Sequence, residues 1–270
     1  MPELPDVEIF KRLAERHGAG RIVARVSVRD PAMVRGVAAE ELPRRLEGRR
    51  ISACRRHGKV LFLEIEGDGA LALHFGMNGA LRYVARGEGE PGYVRVTLGL
   101  GEGDALAYLN PRRIGEVRLV ESAARFIEDG GLGPDALDPA LDRAAFDAAL
   151  GDGRQAIKTV LMDQARIAGI GNIYSDEILF QAKLHPALDA RALDKRARAR
   201  LHAAMRQVLE TAIACGAGAE TFTGTLPKDF LIPERRRGGR CPRCGREIQM
   251  LKIGGRTSYY CPRCQKEPRA

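Results

Sequence analysis

CPRCGREIQMLKIGGRTSYYCPRCQK, residues 241–266, sets Cys241 and Cys244 sixteen residues ahead of Cys261 and Cys264. Two C-x2-C knuckles at that separation have the ligand spacing of a structural zinc site. Four thiolates satisfy tetrahedral Zn²⁺ and leave no open coordination position for catalysis. So short a segment buries too little apolar surface to fold alone, and the metal would supply its folding energy. The alternative, a pair of disulfides, is disfavoured in a reducing compartment. Cys54 and Cys215 stand outside this pattern and read as inert core thiols. Between the knuckles, GGRTSYY reads as a tight hairpin presenting Arg256, which is either a solvated arginine or a bidentate grip on phosphate.

The charge around this module is lopsided. Residues 235–270 hold eleven Lys or Arg against two Glu, so the whole of the chain's net +9 lies there and the remainder sums to zero. Zinc-bound thiolates would lower that figure. A basic module on a neutral body has the electrostatic footprint of a nucleic-acid binder; an arginine-rich surface of no functional meaning is the alternative. Upstream, residues 216–240 have no clear period and read as a linker. From Ala123 to about Ala214 the period is helical, in segments 138–150, 156–167, 172–184 and 195–214. Asp138-Pro139 reads as a cap and first-turn pair. Gly169 and Gly171 bracket a tight connection, with Asn172 expected to cap the next helix. Helices joined by such a turn are a common DNA-binding element, and a helix N-terminus is a phosphate site, although most such turns are merely structural.

Before residue 121 the pattern is that of strands. Runs at 21–29, 50–54, 59–65, 70–74, 80–85, 93–98, 105–109 and 116–120 are rich in Val, Ile and Leu and punctuated by Gly and Pro. One amphipathic helix, 5–16, precedes them, with Pro5 in its first turn and Gly18 beyond its end. The expected fold class is α+β multidomain: an N-terminal antiparallel β-sandwich (1–122), a helical domain (123–235) and a zinc finger (236–268). At 270 residues and 44% apolar, the chain has material for a real core. No run approaches the roughly 18 apolar residues of a membrane helix, and MPELPDVEIF lacks a secretory pattern. A cytoplasmic, nucleoid-associated location is expected.

The N-terminus offers a nucleophile. Removal of Met1 would free the secondary amine of Pro2. An α-amine titrates near ~8 against ~10.4 for lysine, so far more of it is uncharged near neutrality. Attack on a sugar carbon would give a cationic iminium, an electron sink for elimination. Glu3 beside it could move the protons. Many unrelated chains also begin Met-Pro-Glu.

MPELPDVE, HGKVLFLEI, LHFGMNGALR, NPRRIGEV, IAGIGNIYSDEILFQA and GGRTSYYCPRCQK, in that order and across nearly the whole chain, resemble the formamidopyrimidine-DNA glycosylase/endonuclease VIII (Fpg/Nei) family. The resemblance implies a β-sandwich, a helix–two-turn–helix domain and a zinc finger holding one structural Zn²⁺, with damaged double-stranded DNA as partner and a monomeric enzyme. It implies base excision and abasic-site lyase chemistry, through a Schiff base on Pro2 with Glu3 as acid/base, followed by β,δ-elimination. Lys59 would lie near the reacting sugar and phosphate; His74, Asn172 and Arg256 would hold phosphates around the flipped nucleotide. Met77 and Arg112, with Ile114 as an apolar wedge, would fill the space it leaves. Cys241, Cys244, Cys261 and Cys264 would hold the zinc.

Two departures bear on substrate. Many purine-lesion members carry an aromatic residue after the paired arginines, where this chain has Ile114, and the stretch from Gly216 to Cys241 is short. Both argue against carrying over a preference for 8-oxoguanine. Two further readings stay open: an abasic-site lyase with little base excision, and a non-catalytic protein that binds damaged DNA on the same scaffold.

Overall fold

The computed structural model describes residues 1–216 and 226–266. Residues 217–225, part of the short stretch from Gly216 to Cys241 that departs from the family pattern, lie outside the described residues. The chain divides into two compact units, Met1–Gly131 and Leu132–Ala270. No helix among the described residues is long and apolar enough to cross a membrane.

The first unit runs through α1 (Leu4–His17), β1 (Arg25–Val28), β2 (Val34–Arg35), α2 (Glu41–Leu46), β3 (Ile51–His57), β4 (Val60–Ile65), β5 (Ala70–His74), β6 (Ala80–Val84), β7 (Val94–Gly99), β8 (Ala105–Leu109), β9 (Glu116–Val120) and α3 (Ala123–Asp129). A four-stranded sheet, β1-β7-β8-β6, faces a five-stranded sheet, β2-β9-β5-β4-β3. Alternate residues of β7 (Val94, Val96, Leu98) are buried, the period-2 signature of a strand with one face on a core. Strand β4 is buried on both faces, because α3 covers its outer side: Phe126 meets Phe62 edge-on at 5.5 Å. That explains the continuous apolar run VLFL.

Three local readings change. The run at 21–29 pairs as a strand only from Arg25, since Ile22 makes a lone bridge with Arg50. Strand β3 extends to His57 because β4 pairs with it all the way to a two-residue turn at Gly58-Lys59. Strand β2 is parallel to β9, the exception to an otherwise antiparallel sandwich, and neither β2 nor α2 stood out in the sequence.

The second unit contains α4 (Arg143–Leu150), α5 (Ile157–Met162), α6 (Asn172–Gln181), α7 (Lys195–Ala214), β10 (Gln249–Ile253) and β11 (Arg256–Tyr260). Asp138 does not start a helix. Its Oδ1 accepts the amide of Ala140 at 2.8 Å in a local turn, and Asp142 caps α4 by accepting from Ala145 at 2.9 Å. Helix α5 stops at Met162, where Asp163 turns the chain by accepting from Ala165. Asn172 is not the cap of α6: Gly171 occupies that position in extended conformation, and Asn172 is the first helical residue.

Helix α6 is buried from Tyr174 through Phe180, with α5, α7 and β11 packed around it. A helix enclosed on all sides has no polar stripe to show, unlike α7, whose Leu201, Met205, Val208 and Ala212 make one buried face. Strands β10 and β11 form a hairpin closed by Gly254-Gly255, both with left-handed φ (54° and 75°). Two positive φ values give the turn whose twist matches paired strands, and glycine adopts them without strain.

Candidate active site and phosphate-binding residues

In the first unit, α1 packs against β3 and β4, and the turn that joins those strands carries Lys59, next to the end of β5 that carries His74. Glu3 is the N-cap of α1 and is 1% exposed; its backbone N–H donates to Asp6 Oδ2 at 2.8 Å in a capping box. Pro2, half-buried, is therefore attached to a rigid helix start rather than to a loose tail. The helix is pinned to the sandwich by Phe10 against Phe75 (ring centroids 4.6 Å apart) and by Arg56 on Glu8 at 3.1 Å. Arg56 directly precedes His57-Gly58-Lys59, so the same strand end carries both the pin and Lys59. Gly58 has a left-handed φ of 54°, as the first position of a two-residue hairpin turn often requires.

His74 lies opposite Val60, the residue after Lys59. Burial pushes its pKa down and the nearby Lys59 charge pushes the same way, against an opposing pull from Glu116. The ring is thus held neutral near pH 7, with an N–H to donate and no charge to desolvate.

Met77 and Ile114 are two of the few large apolar side chains on the surface, 42% and 50% exposed, on neighbouring loops. A Cβ on Gly76 would press on the Ile114 carbonyl, so the loops are in close contact. Asn110, 0% exposed, ties them together: its Nδ2 donates to the Phe75 carbonyl at 3.1 Å, and its Oδ1 accepts from Ile114 N at 3.2 Å. Arg112 is exposed at the tip, whereas Arg113, at φ 57°, turns back to pair with Asp30 at 2.7 Å. Neither Asn110 nor Asp30 stood out in the sequence; Asn before Pro is a turn signal, and that was the available clue.

In the second unit, Asn172 opens α6 and Arg256 opens β11, exposed beside the glycine turn. The Asn172 Oδ1 is buried and has no hydrogen-bond partner among the described residues. Rotating the amide by half a turn would exchange its oxygen for its N–H donors without changing its shape. The four Sγ atoms of Cys241, Cys244, Cys261 and Cys264 lie within 4.8 Å of one another, with Cys241–Cys264 at 3.8 Å and Cys244–Cys261 at 3.5 Å. Bonds of about 2.3 Å to a tetrahedral Zn²⁺ require sulfur separations of about 3.8 Å, so the donor set fits one structural zinc. The cluster packs on Phe180 of α6, over which Arg243 also lies at 4.4 Å.

Models of three domains match in order: the formamidopyrimidine-DNA glycosylase N-terminal domain over residues 1–117, the H2TH domain of the same enzyme over 132–223, and the zinc finger found in FPG and IleRS over 238–266. The formamidopyrimidine-DNA glycosylase of Heliobacterium modesticaldum is 35% identical over 98% of this chain and 100% of its own length. The chain belongs to the formamidopyrimidine-DNA glycosylase family. Its relative from Moorella thermoacetica is 37% identical, covering 98% of this chain and 92% of the other. Among solved structures, the Lactococcus lactis member of the family in complex with abasic-site DNA superposes with a TM-score of 0.88 at 29% identity, covering 98% of this chain and all of that one. A second complex of that protein, with DNA containing N7-benzyl-Fapy-dG, gives 0.88 at 30% identity with the same coverage. The family's sandwich, H2TH and zinc-finger architecture is that of this chain, and its four clustered cysteines are a structural zinc site.

Proposed function

We propose that this chain is a base-excision-repair DNA glycosylase and abasic-site lyase working through the Pro2 amine. The observation that carries the reading is the placement of Pro2 at the start of a pinned helix, with the carboxyl of Glu3 buried beside it. The Pro2 nitrogen attacks C1′ of the damaged nucleotide, and the base departs with a proton. Glu3 protonates the ring oxygen, the sugar opens, and the nitrogen becomes an iminium. Loss of a C2′ proton then expels the 3′ phosphate, and a second elimination expels the 5′ phosphate. Lys59 and the neutral His74 contact the sugar-phosphate of the extruded nucleotide, and Asn172 and Arg256 hold backbone phosphates. Met77, Arg112 and Ile114 occupy the gap in the stack; Asn110 and Asp30 hold their loops. Zinc supplies the folding energy of the hairpin that carries Arg256 and takes no part in bond breaking. The substrate is oxidised or otherwise damaged bases and abasic sites in duplex DNA, encountered at the nucleoid, by a monomer.

Borohydride added to protein and abasic or lesion-bearing duplex should trap a covalent adduct whose DNA-linked peptide begins at Pro2. Protein with Met1 retained should trap none. If the processed protein forms no adduct on purine-lesion, pyrimidine-lesion and abasic duplexes alike, the Schiff-base reading fails. Strand cleavage confined to abasic sites would leave the lyase and remove the glycosylase. A strong preference for 8-oxoguanine opposite cytosine would show that an aliphatic Ile114 wedge does not weaken purine recognition.

A further inference from the structure

Asp176 lies in the first half of α6 and is 1% exposed, yet four groups from different parts of the second unit donate to its carboxylate. The fully buried Lys158 of α5 pairs with Oδ1, and Ser258 Oγ donates to the same oxygen at 2.7 Å. The Tyr259 N–H reaches Oδ2 at 3.1 Å, and Arg235 donates to Oδ2 through Nη2 at 2.8 Å and Nε at 3.1 Å. Both cations also reach the carbonyl of Asn172, Arg235 at 3.2 Å and Lys158 at 3.5 Å. One carboxylate therefore joins α5, the Arg235 segment, the first turn of α6 and the middle of β11.

Two features make this junction more than packing. The β10–β11 hairpin has only two strands, and such a unit is marginal alone. Zinc grips its far end through Cys261, leaving the glycine-turn end, which carries Arg256, to be fixed by something else. Ser258 is two residues from Arg256 on the same face of β11, so its bond to Asp176 sets where that end of the strand lies. The charges, moreover, do not cancel. Two cations on one carboxylate leave a net positive charge beside the first turn of α6, where the helix dipole also favours an anion.

We propose that Asp176 is a positioning residue for DNA binding, locking the Arg256 end of the zinc hairpin to the Asn172 end of α6. This rests on the reading that Arg256 and Asn172 hold backbone phosphates. Asp176 itself touches no DNA.

The test uses a duplex bearing a tetrahydrofuran abasic analogue, with affinity measured across a salt series. Arg256→Ala should weaken binding and lower the slope of log affinity against log salt by about one phosphate contact. Ser258→Ala removes no charge, but by releasing the strand it should weaken binding about threefold to tenfold and lower the slope as well. In the Arg256→Ala background it should cost nothing more. Asp176→Asn should reproduce the pattern if zinc content shows the module intact; if it fails to fold, Ser258→Ala decides alone. An unchanged salt slope for Ser258→Ala, or a loss that simply adds to that of Arg256→Ala, overturns the proposal and leaves the phosphate reading standing. An Arg256→Ala variant that binds like the parent at every salt concentration overturns both.

Discussion

The interior of the sandwich and the interior around α6 solve the same burial problem with opposite chemistry. Between the sheets, Val7, Leu61, Leu63, Leu73, Val96, Leu98 and Val117 pack with neighbours that are almost all apolar. Around α6, three consecutive polar residues, Ser175, Asp176 and Glu177, are buried together with Lys158. An apolar core needs only volume and a reasonable fit, so it tolerates exchange of one hydrocarbon for another. A buried ion cluster needs every partner present, because removing one leaves a charge without water or counter-ion. The first unit should therefore be forgiving of conservative change and the second should not.

The largest break is loss of the metal. Chelation, or Cys261→Ser, removes a contribution of order 10 kcal/mol to the zinc module. Zinc content, DNA binding and Arg256-dependent salt sensitivity should all be lost, while the melting of the isolated sandwich transition stays unchanged. Next comes a matched pair of shape-conserving substitutions. Asp176→Asn should destabilise the second unit by about 3–5 kcal/mol. Leu61→Met, at a site equally buried, should cost less than about 1.5 kcal/mol in denaturant titration. Equal costs would erase the contrast between the two interiors.

Acid and base should act in opposite senses on the two units. In the second, burial raises the Glu177 carboxyl from 4.5 to about 7, against hydrogen bonds from Gln181 and Ile232 that favour its ionised form. Its raised pKa means that its contribution to stability is full below pH 4.5 and is lost as pH rises through about 7. In the first unit, Asp68 is held below the usual carboxylate range, chiefly by its hydrogen bond to Arg45. That contribution is present above about pH 3.8 and is lost as pH falls. Melting-temperature series should show Glu177→Gln gaining on the parent as pH rises from 4.5 to about 7, the window between the two Glu177 values, and the deficit of Asp68→Asn shrinking in acid. The smallest effect belongs to the exposed Arg125–Asp129 pair one turn apart on α3, where Arg125→Ala should change stability by about 0.3–0.5 kcal/mol.

Much of this was open to reading along the chain. Strands β5, β8 and β9 and helix α7 have the limits the sequence predicts: β9 and α7 each bury one face at the period of their element, and β5 and β8 are short apolar runs buried on both faces. The misread helix start at Asp138 shows where local reading fails. An Asp-Pro pair serves a turn as well as a cap, and only the hydrogen bond from Ala140 to Asp138 distinguishes them. At Asn172 the sequence predicts a cap, and Gly171 holds that position instead. Among site residues, the cysteines are legible from spacing alone, and Pro2 and Glu3 only from the order of the surrounding blocks. Asn110, Asp30 and the Asp176 cluster left no comparable trace, since a lone Asn or Asp in a sequence reads as surface.

The sequence by itself determined the zinc ligands, the basic C-terminal end, the succession from strands to helices and the ordered blocks of the family, because each depends on residue type and short spacing. Tertiary structure alone decided that Glu3 is buried at a helix cap and that the Met77 and Ile114 loops are joined through Asn110. It also decided that one carboxylate gathers Lys158, Arg235 and Ser258 from positions up to 82 residues away from it along the chain. Burial and long-range partners are properties of the packed chain, and they turn ordinary polar residues into the groups that hold a site in place.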